Sequence, residues 1–261
     1  MKVITVISDE ENHGFFLLKL SCASNDLELT TLVLTKKHFQ TNRLKDSLLS
    51  DYLEEINSDE LILFTDGYDA VFLTGENEMI DKYRRFNKDL VFSTETNCWP
   101  DKNLAPLYPE TDSPYKYLNS GGFLGKAGLI KELLNDSSYR SDKFERSNQY
   151  LWAQVFLKNQ NLIGMDTYCD IFCSFSPEVG AAHLPKEQDN NYYEYYTFMR
   201  KWFQDNFLIE NARIFNRTTK TWPCHAHFNG DSKVLMDNDV KDLMLNKISK
   251  SSKIQTLYAS G

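Results

Sequence analysis

The chain has 261 residues, 41% of them hydrophobic, and a formal net charge of -8. This size and apolar content are enough for one α/β domain with a full core. The pI is about 5.2, whereas proteins that bind a phosphate backbone normally have a basic face, so nucleic acid is not an expected partner. No stretch reaches the ~20 apolar residues that cross a bilayer, so no membrane span is expected.

The cysteines and the N-terminus indicate a cytoplasmic protein. The chain has 5 cysteines, an odd number, and their irregular spacing favours reduced thiols over a disulfide framework. The opening segment, MKVITVISDEEN, contains a short apolar run that ends in acidic residues. That run is too short for a signal peptide and is typical of a first strand.

Strands and helices alternate through the first part of the chain. Apolar, β-branched runs predict strands, and leucines spaced along one face predict helices. In chain order we predict a strand at 3–7, a helix at 14–23, a strand at 29–34, a helix at 46–56 and a strand at 61–64. This alternation predicts a parallel sheet covered by helices, whose ligands bind beyond the carboxyl ends of the strands.

The second part of the chain adds a short strand at 90–93 and a buried helix at 149–157 with Ser147 as its N-cap. Between them, a pair of glycines breaks the regular pattern. The polar residues 178–195 predict a loop. We expect a single domain over residues 1–237, followed by a charged helix and a frayed tail over 238–261.

The segment LILFTDGYDAVF ends an apolar strand with two carboxylates, Asp66 and Asp69. Burying carboxylates is costly unless something pairs with them. Hard oxygen ligands at a strand end suit Mg²⁺ or Mn²⁺, and substrate phosphates can complete the octahedron. The alternative interpretation is an ordinary turn, because Asp and Gly are common turn residues.

His227 opens the run HFNGDSK. Asn229, Gly230 and Ser232 predict a turn with exposed amides, and Lys233 adds a positive charge, so this run can cradle a phosphate. An imidazole beside two carboxylates favours Mn²⁺ over Mg²⁺. The alternative is an isolated histidine in the core or on the surface.

Three further patterns leave alternatives open. The NSGG run that starts at Asn119 permits either tight packing or close approach of a ligand to the backbone. Trp99 lies in a polar loop and fits either the core or a sugar platform. A rival zinc site would use four residues: Cys169, Cys173, His225 and His227. On a strand its two cysteines would stand ~13 Å apart, which argues against that site.

Six segments of this chain resemble, in their order, the glycosyltransferase domain of procollagen lysyl hydroxylases and related collagen-type glycosyltransferases. They are VITVIS, FTDGYDAVF, FSTETNCWPD, YLNSGGFLG, NQYLWAQVFL and HFNGDSK, and the match spans residues 2–233. The resemblance implies a GT-A fold, which is a Rossmann-like, mixed but mostly parallel central sheet flanked by helices. It also implies a UDP-sugar donor, Mn²⁺ with Mg²⁺ as the alternative, and a hydroxyl-bearing acceptor on a protein or glycan.

The resemblance assigns roles to residues by position. The metal would be held by Asp66, Asp69 and His227. The donor would be contacted by a larger set: Val6, Ser8, Lys45, Tyr68, Glu95, Trp99, Asn119, Gly121, Gly122, Gly230 and Lys233. The first two of these would meet the uracil, and the tyrosine would pack on the nucleoside.

The chain departs from the family where a run of aspartates needed for transfer precedes the late helix. Ser147 and Asn148 stand there, and an asparagine can hydrogen-bond a sugar hydroxyl but cannot act as a base. The candidate catalytic residues are therefore Asn148 itself and four carboxylates as candidates to replace the missing one: Asp142, Glu145, Asp166 and Asp170.

Together with the predicted metal site, the resemblance implies a UDP-sugar-dependent hexosyltransferase that transfers galactose or glucose. One alternative is a catalytically silent module that binds a UDP-sugar or a protein on the same fold. Another is a nucleotidyltransferase, which the lack of a glycine-rich triphosphate loop argues against. The chain ends after the transferase portion, so lysine hydroxylation is not expected.

Overall fold

A computed structural model describes residues 1–34, 41–136, 138, 143–177 and 192–244. Its strands are Lys2–Ile7 (β1), Leu29–Val33 (β2), Leu61–Asp66 (β3), Ala70–Phe72 (β4), Leu90–Glu95 (β5), Tyr117–Lys126 (β6), Ile163–Met165 (β7), Phe172–Ser174 (β8), Phe207–Glu210 (β9), Arg213–Asn216 (β10) and His225–His227 (β11). Its α-helices are His13–Ser24 (α1), Arg43–Leu53 (α2), Glu76–Arg85 (α3), Ala127–Asn135 (α4), Asn148–Lys158 (α5) and Tyr192–Asn206 (α6). Shorter helical segments are Lys102–Leu107, Gly230–Leu235 and Met236–Val240.

The main sheet has the strand order β2-β1-β3-β6-β5-β7 in the described part of the chain. β1 pairs in parallel with β2 and β3, and β5 pairs in parallel with β7. β6 runs antiparallel to both β3 and β5. The sheet is therefore mixed and mostly parallel, and the carboxyl ends of β1, β3 and β5 meet at one edge.

Alternation along the strands separates two layers of core. On β1, Ile4 packs with α2, α4 and α5, whereas the preceding Val3 packs with α1 and α3 on the opposite face. Trp152 of α5 is fully buried, with ring centroids 5.0 Å from Phe92 and 5.4 Å from Phe123. This aromatic layer holds α5 against the sheet and fixes where the helix begins.

A second, three-stranded sheet has the order β4-β11-β8. β11 is antiparallel to β4, and this register places His227 opposite Ala70, the residue after Asp69. A further aromatic cluster supports this sheet, with Phe175 and Phe228 stacked at a centroid distance of 4.5 Å. Strand pairing thus carries the late histidine to the end of β3.

The structure confirms the elements that the sequence predicts most strongly. The predicted strands at 3–7, 29–34, 61–64 and 90–93 match β1, β2, β3 and β5 to within two residues at each end. The helix predicted at 46–56 is α2, which starts and ends three residues earlier. Ser147 is the N-cap of α5, and its side chain accepts a hydrogen bond from the Tyr150 N–H, as predicted.

The structure adds detail at three segments that the sequence predicts to be irregular or terminal. Gly121 and Gly122 do not interrupt a strand, because both lie inside β6. Of the predicted loop at 178–195, residues 178–191 lie outside the described ranges, and the remainder begins α6. Leu243 and Met244 are buried in the core, so packing continues beyond the predicted boundary at residue 237. Within the described ranges, the helices are too short or too polar to cross a bilayer.

Candidate active site

A cleft of about 920 Å³ opens at the carboxyl ends of the central strands. Eleven residues predicted from the sequence are among those that line it: Lys45, Asp66, Asp69, Glu95, Trp99, Asn119, Gly121, Asn148, His227, Gly230 and Lys233. They come from segments spread over nearly 190 residues of chain, and the sheet topology brings them together. This is the position at which open α/β sheets bind ligands.

Asp66, Asp69 and His227 form a compact cluster in this cleft. One ligand atom from each lies within 4.8 Å of the other two. The His227 Nε2 atom is 3.3 Å from Asp69 Oδ1 and 3.7 Å from Asp66 Oδ2. Asp66 ends β3, Asp69 directly precedes β4, and His227 ends β11 beside it, so backbone pairing sets the geometry.

Electrostatics in the cluster favour a cation. Burial pushes the pKa of His227 down, but the carboxylates of Asp69 and Asp66 outweigh it and raise that pKa above its usual range. Burial also pushes the pKa of Asp69 up, and the charges of His227 and Lys233 reverse this and hold it well below its usual range. The ionised carboxylate of Asp69, with Asp66 beside it, thus makes this a site that favours a cation.

The donor atoms of the cluster fit a divalent metal ion. Asn119 uses its amide N–H to reach Glu95, so its Oδ1 accepts from Nδ1 of His227 at 3.1 Å. This fixes the imidazole with Nε2 facing the carboxylates, and Nε2 has no hydrogen-bond partner among the described residues. Two carboxylates and one imidazole nitrogen suit Mn²⁺ and similar ions.

Two lysines stand beside the cluster and partner its carboxylates. Lys45 Nζ lies 2.6 Å from Asp66 Oδ1, and Lys233 Nζ lies 2.9 Å from Asp69 Oδ2. Lys45 belongs to the first turn of α2, and Lys233 to the segment Gly230–Leu235. Both cations are placed to pair with an anionic group that enters the cleft.

Gly121 is required by the position of His227. A Cβ atom on residue 121 would overlap the imidazole ring of His227. The β5–β6 register shifts between Phe92 and Ser93, next to this point, so the strand bulges where it meets the cluster. Gly122 is close to Phe172 and His225 instead, and its role is packing under the second sheet.

Glu95 is a buried carboxylate within the cleft, enclosed by side-chain amides. Its Oε1 accepts from Asn119 Nδ2 at 3.2 Å and from Gln149 Nε2 at 2.6 Å, and its Oε2 accepts from Asn229 Nδ2 at 3.1 Å. Burial raises the pKa of Glu95 against the opposing effect of these amides and of His227. The amide cage orients both oxygens of the carboxylate in the cleft wall.

The cleft also contains an exposed tryptophan and a turn that begins at a glycine. Trp99 is 64% exposed and lines the cleft, so it is not a core residue. Gly230 has φ of +59°, a left-handed conformation that suits glycine, and it begins the helical segment that carries Lys233. Asn148 opens α5 at the opposite wall, where it is 6% exposed.

The residues predicted to meet the nucleoside lie next to the cleft rather than in its lining. The Tyr68 hydroxyl accepts from the backbone N–H groups of Ser8, at 2.6 Å, and Asp9, at 2.7 Å. Val6 pairs with Asp66 across β1 and β3, but its side chain packs in the core. The side chain of Val6 is therefore not placed to contact a base.

Two predicted catalytic carboxylates are placed differently from expectation. Asp166 is fully buried, and its oxygens accept from the backbone N–H groups of residues 170, 171 and 172 at 2.7–2.8 Å, so it stabilises a turn. Glu145 is exposed on the turn before α5, and it is not among the residues that line the cleft. Asp142 lies outside the described residues.

The rival zinc site does not form. Cys173 pairs with Ala226 in the parallel β8–β11 ladder, so it shares a face with Ala226 and not with His225 or His227. Cys169 and Cys173 are close together, contrary to the ~13 Å estimate, because Cys169 sits in a turn with φ of +55°. His225 is hydrogen-bonded to Thr65, with 2.8 Å between Nε2 of the histidine and Oγ1 of the threonine.

The sequence did not reveal several functional positions. Gln149 and Asn229 both reach Glu95, although Gln149 was assigned no role from the sequence and Asn229 only a place in the predicted turn. Asp46, beside Lys45 on α2, is a buried acid that faces α5 and was also missed. The available signal was the position of Asp46, because helical spacing places this charged residue on the inward face of α2. Asp is seldom buried without a partner, so such a position indicates a specific contact.

Solved structures show the same fold. The fold is similar to that of WbbM, described as a bifunctional glycosyltransferase, with a TM-score of 0.51 and 12% identity. The likeness covers 99% of this chain and 51% of that chain. Together with the mixed sheet, it identifies the fold as that of GT-A glycosyltransferases.

The sequence matches the PLOD GT domain family over residues 1–252, so the chain belongs to that family. An uncharacterized protein of Acanthamoeba polyphaga mimivirus is 31% identical over 202 residues, which are 77% of this chain and 38% of that protein. The multifunctional procollagen lysine hydroxylase and glycosyltransferase LH3 of Rattus norvegicus is 35% identical over 183 residues, 69% of this chain and 22% of that protein. The chain thus spans between about a fifth and two fifths of these relatives.

Proposed function

We propose that this glycosyltransferase moves a hexose, galactose or glucose, from a UDP-sugar to a hydroxyl acceptor, with Mn²⁺ as the metal and Mg²⁺ as the alternative. The observation that carries the proposal is the cluster of Asp66, Asp69 and His227, flanked by Lys45 and Lys233. A site with two carboxyl groups, an imidazole and two lysines matches a metal–diphosphate pair in its chemistry.

Different residues of the site would bind the metal and the diphosphate. Asp66, Asp69 and His227 would hold the metal, which when bound neutralises charge on a leaving diphosphate. Lys45 and Lys233 would exchange their carboxylate partners for phosphate oxygens, so the diphosphate is bound by groups that are already in place.

The opposite wall would bind the sugar. Glu95 offers carboxylate oxygens that are fixed by three amides, and Asn148 offers an amide in the same cleft. Trp99 supplies an exposed aromatic face of the kind on which sugar rings pack. Val6, Ser8 and Tyr68 would form the nucleoside end, beside Asp66.

The acceptor is proposed from the names of the relatives. LH3 is named as a glycosyltransferase and a procollagen lysine hydroxylase, so a collagen-like peptide with hydroxylysine is the first acceptor to test. Glycans with free hydroxyls are the second. We also propose a cytoplasmic location, which the free state of the five cysteines supports.

Release of UDP from UDP-galactose and UDP-glucose tests the proposal. The reaction is followed with and without Mn²⁺, with and without each acceptor, on the wild type and on Asp69→Asn. We expect Mn²⁺-dependent release that an acceptor accelerates and that the substitution abolishes. Tight Mn²⁺-dependent binding of UDP without release from either donor would favour the silent binding module, which the asparagine at position 148 supports.

A further inference from the structure

Asp46 is a buried carboxylate just outside the cleft. It lies in the first turn of α2, is 8% exposed, and is next in sequence to Lys45, which contacts Asp66. Asp46 Oδ1 accepts a hydrogen bond from Trp152 Nε1 at 3.3 Å. Its Oδ2 is buried and has no hydrogen-bond partner among the described residues. A buried carboxylate oxygen without a partner lowers the stability of the fold, so its presence indicates a functional role.

The face of α5 that meets Asp46 carries two residues one turn apart. Asn148 and Trp152 are spaced i and i+4, so they project on the same side of the helix. Trp152 is fixed in the aromatic core and pins one oxygen of Asp46. The side-chain amide of Asn148 lies beside Asp46 and favours its charged form. A backbone hydrogen bond from the Asn42 N–H to the Arg146 carbonyl also joins the chain just before α2 to the chain just before α5.

Asn148 stands between Asp46 and the cleft. Its Oδ1 accepts from Ser120 Oγ at 3.4 Å, and both Asn148 and Ser120 line the cleft. An asparagine amide can be turned either way, so its orientation depends on which neighbours accept and which donate. An ionised Asp46 can only accept, so it favours the orientation in which the NH₂ group of Asn148 faces it and the carbonyl oxygen faces Ser120 and the cleft.

From this arrangement we propose that Asp46 is a positioning residue, which orients the Asn148 amide so that its carbonyl oxygen accepts from a hydroxyl of the donor sugar. The inference rests on the proposed function, because it assumes a UDP-hexose in the cleft. Although position 148 is an asparagine, a carboxylate still lies next to it, because Asp46 of α2 is beside the Asn148 amide.

The inference also predicts a dependence on pH. Burial raises the pKa of Asp46 to about 7, against the opposing effects of Trp152, Asn148 and the charges of Lys45 and Arg43. Two further acids, Asp51 and Asp136, line a small pocket beside Asp46. A protonated Asp46 can donate to Asn148 and so release the amide from its fixed orientation.

The test compares affinities for UDP and for UDP-hexose, with Mn²⁺ present, by isothermal titration. UDP lacks the sugar, so the ratio of the two affinities isolates contacts to the hexose. We expect Asp46→Asn to weaken binding of the preferred UDP-hexose about tenfold and to leave UDP affinity within twofold of wild type. Asp51→Asn, on the exposed side of the same helix, is the control and should change neither affinity.

A reciprocal exchange separates positioning from support of the fold. The double variant Asp46→Asn with Asn148→Asp keeps one amide and one carboxylate in contact, and we expect it to recover sugar affinity to within threefold of wild type. The affinity ratio of the wild type should also change between pH 6 and pH 8, whereas that of Asp46→Asn should not.

The outcomes distinguish the inference from the proposed function. Wild type that binds neither UDP nor UDP-hexose overturns both. Wild type that binds both ligands, with an Asp46→Asn variant whose affinity ratio is unchanged, overturns the inference alone. A variant that loses affinity for UDP and UDP-hexose equally assigns Asp46 to the fold and also overturns the inference.

Discussion

The imidazole of His227 occupies the space that a side chain on residue 121 would need. The NSGG run, which tight packing alone could explain, therefore belongs to the candidate metal site. The glycine is on β6 and the histidine is on β11, in two different sheets. Their contact fixes how closely the second sheet approaches the main one at the cleft.

Gly121→Ala should damage this contact. The added methyl group forces the imidazole or β6 to move, and we expect a loss of about 1–3 kcal/mol in the free energy of unfolding. Mn²⁺ affinity should fall as well, because Nε2 of His227 leaves its position. Urea denaturation and Mn²⁺ titration measure the two effects. Gly164→Ala is the matched control, since its Cβ would meet only the flexible side chain of Lys88 and Val91 at 3.0 Å or more.

Glu95→Gln should be destabilising although it changes few atoms. The carboxylate accepts from three amides, and a glutamine must turn its NH₂ group toward at least one of them. A buried donor facing a donor costs about 1–3 kcal/mol. Release of UDP from the donor should also fall, while Mn²⁺ affinity changes little. Glu110→Gln, in an exposed pair with Lys116, should cost under about 1 kcal/mol and serves as the control.

Asp166→Asn tests the correction to its predicted catalytic role. Three backbone N–H groups point at the carboxylate, so an amide there should cost about 1–3 kcal/mol of stability. The affinity for UDP and the turnover per folded molecule should match wild type. A variant of wild-type stability with abolished turnover would restore Asp166 to the catalytic residues.

The stability of the protein should depend on pH through Asp46. Burial raises the pKa of its carboxyl from 3.8 to about 7, so between these values the folded state holds a proton that the unfolded state has lost. Stability therefore falls as pH rises through this window. Relative to Asp46→Asn, we expect wild type to lose about 2–4 kcal/mol between pH 4 and pH 8. Denaturant curves at each pH measure the difference, and parallel curves for the two proteins would contradict the account.

The sequence predicts those parts of the fold and site that depend on local patterns. Apolar runs define β1, β3 and β5, and the acids after β3 mark its ligand-binding end. What it does not predict arises from contacts between distant segments. Asp46 and Trp152 are 106 residues apart, and nothing within either helix indicates that the two side chains meet. The pairing of β11 with β4, which decides where His227 lies, is equally invisible in a three-residue strand.

The central claim is that Asp66, Asp69 and His227 hold a metal that carries a nucleotide diphosphate. Its direct test is the thermal stability of wild type and Asp69→Asn with UDP, with Mn²⁺, and with both. At about 100 times its dissociation constant, UDP should stabilise wild type by roughly 2.7 kcal/mol, and only when Mn²⁺ is present. At about 2–4 °C per kcal/mol this is a large shift in melting temperature, and Asp69→Asn should lack it. Equal shifts in both proteins, or a shift by UDP that ignores Mn²⁺, would contradict the account.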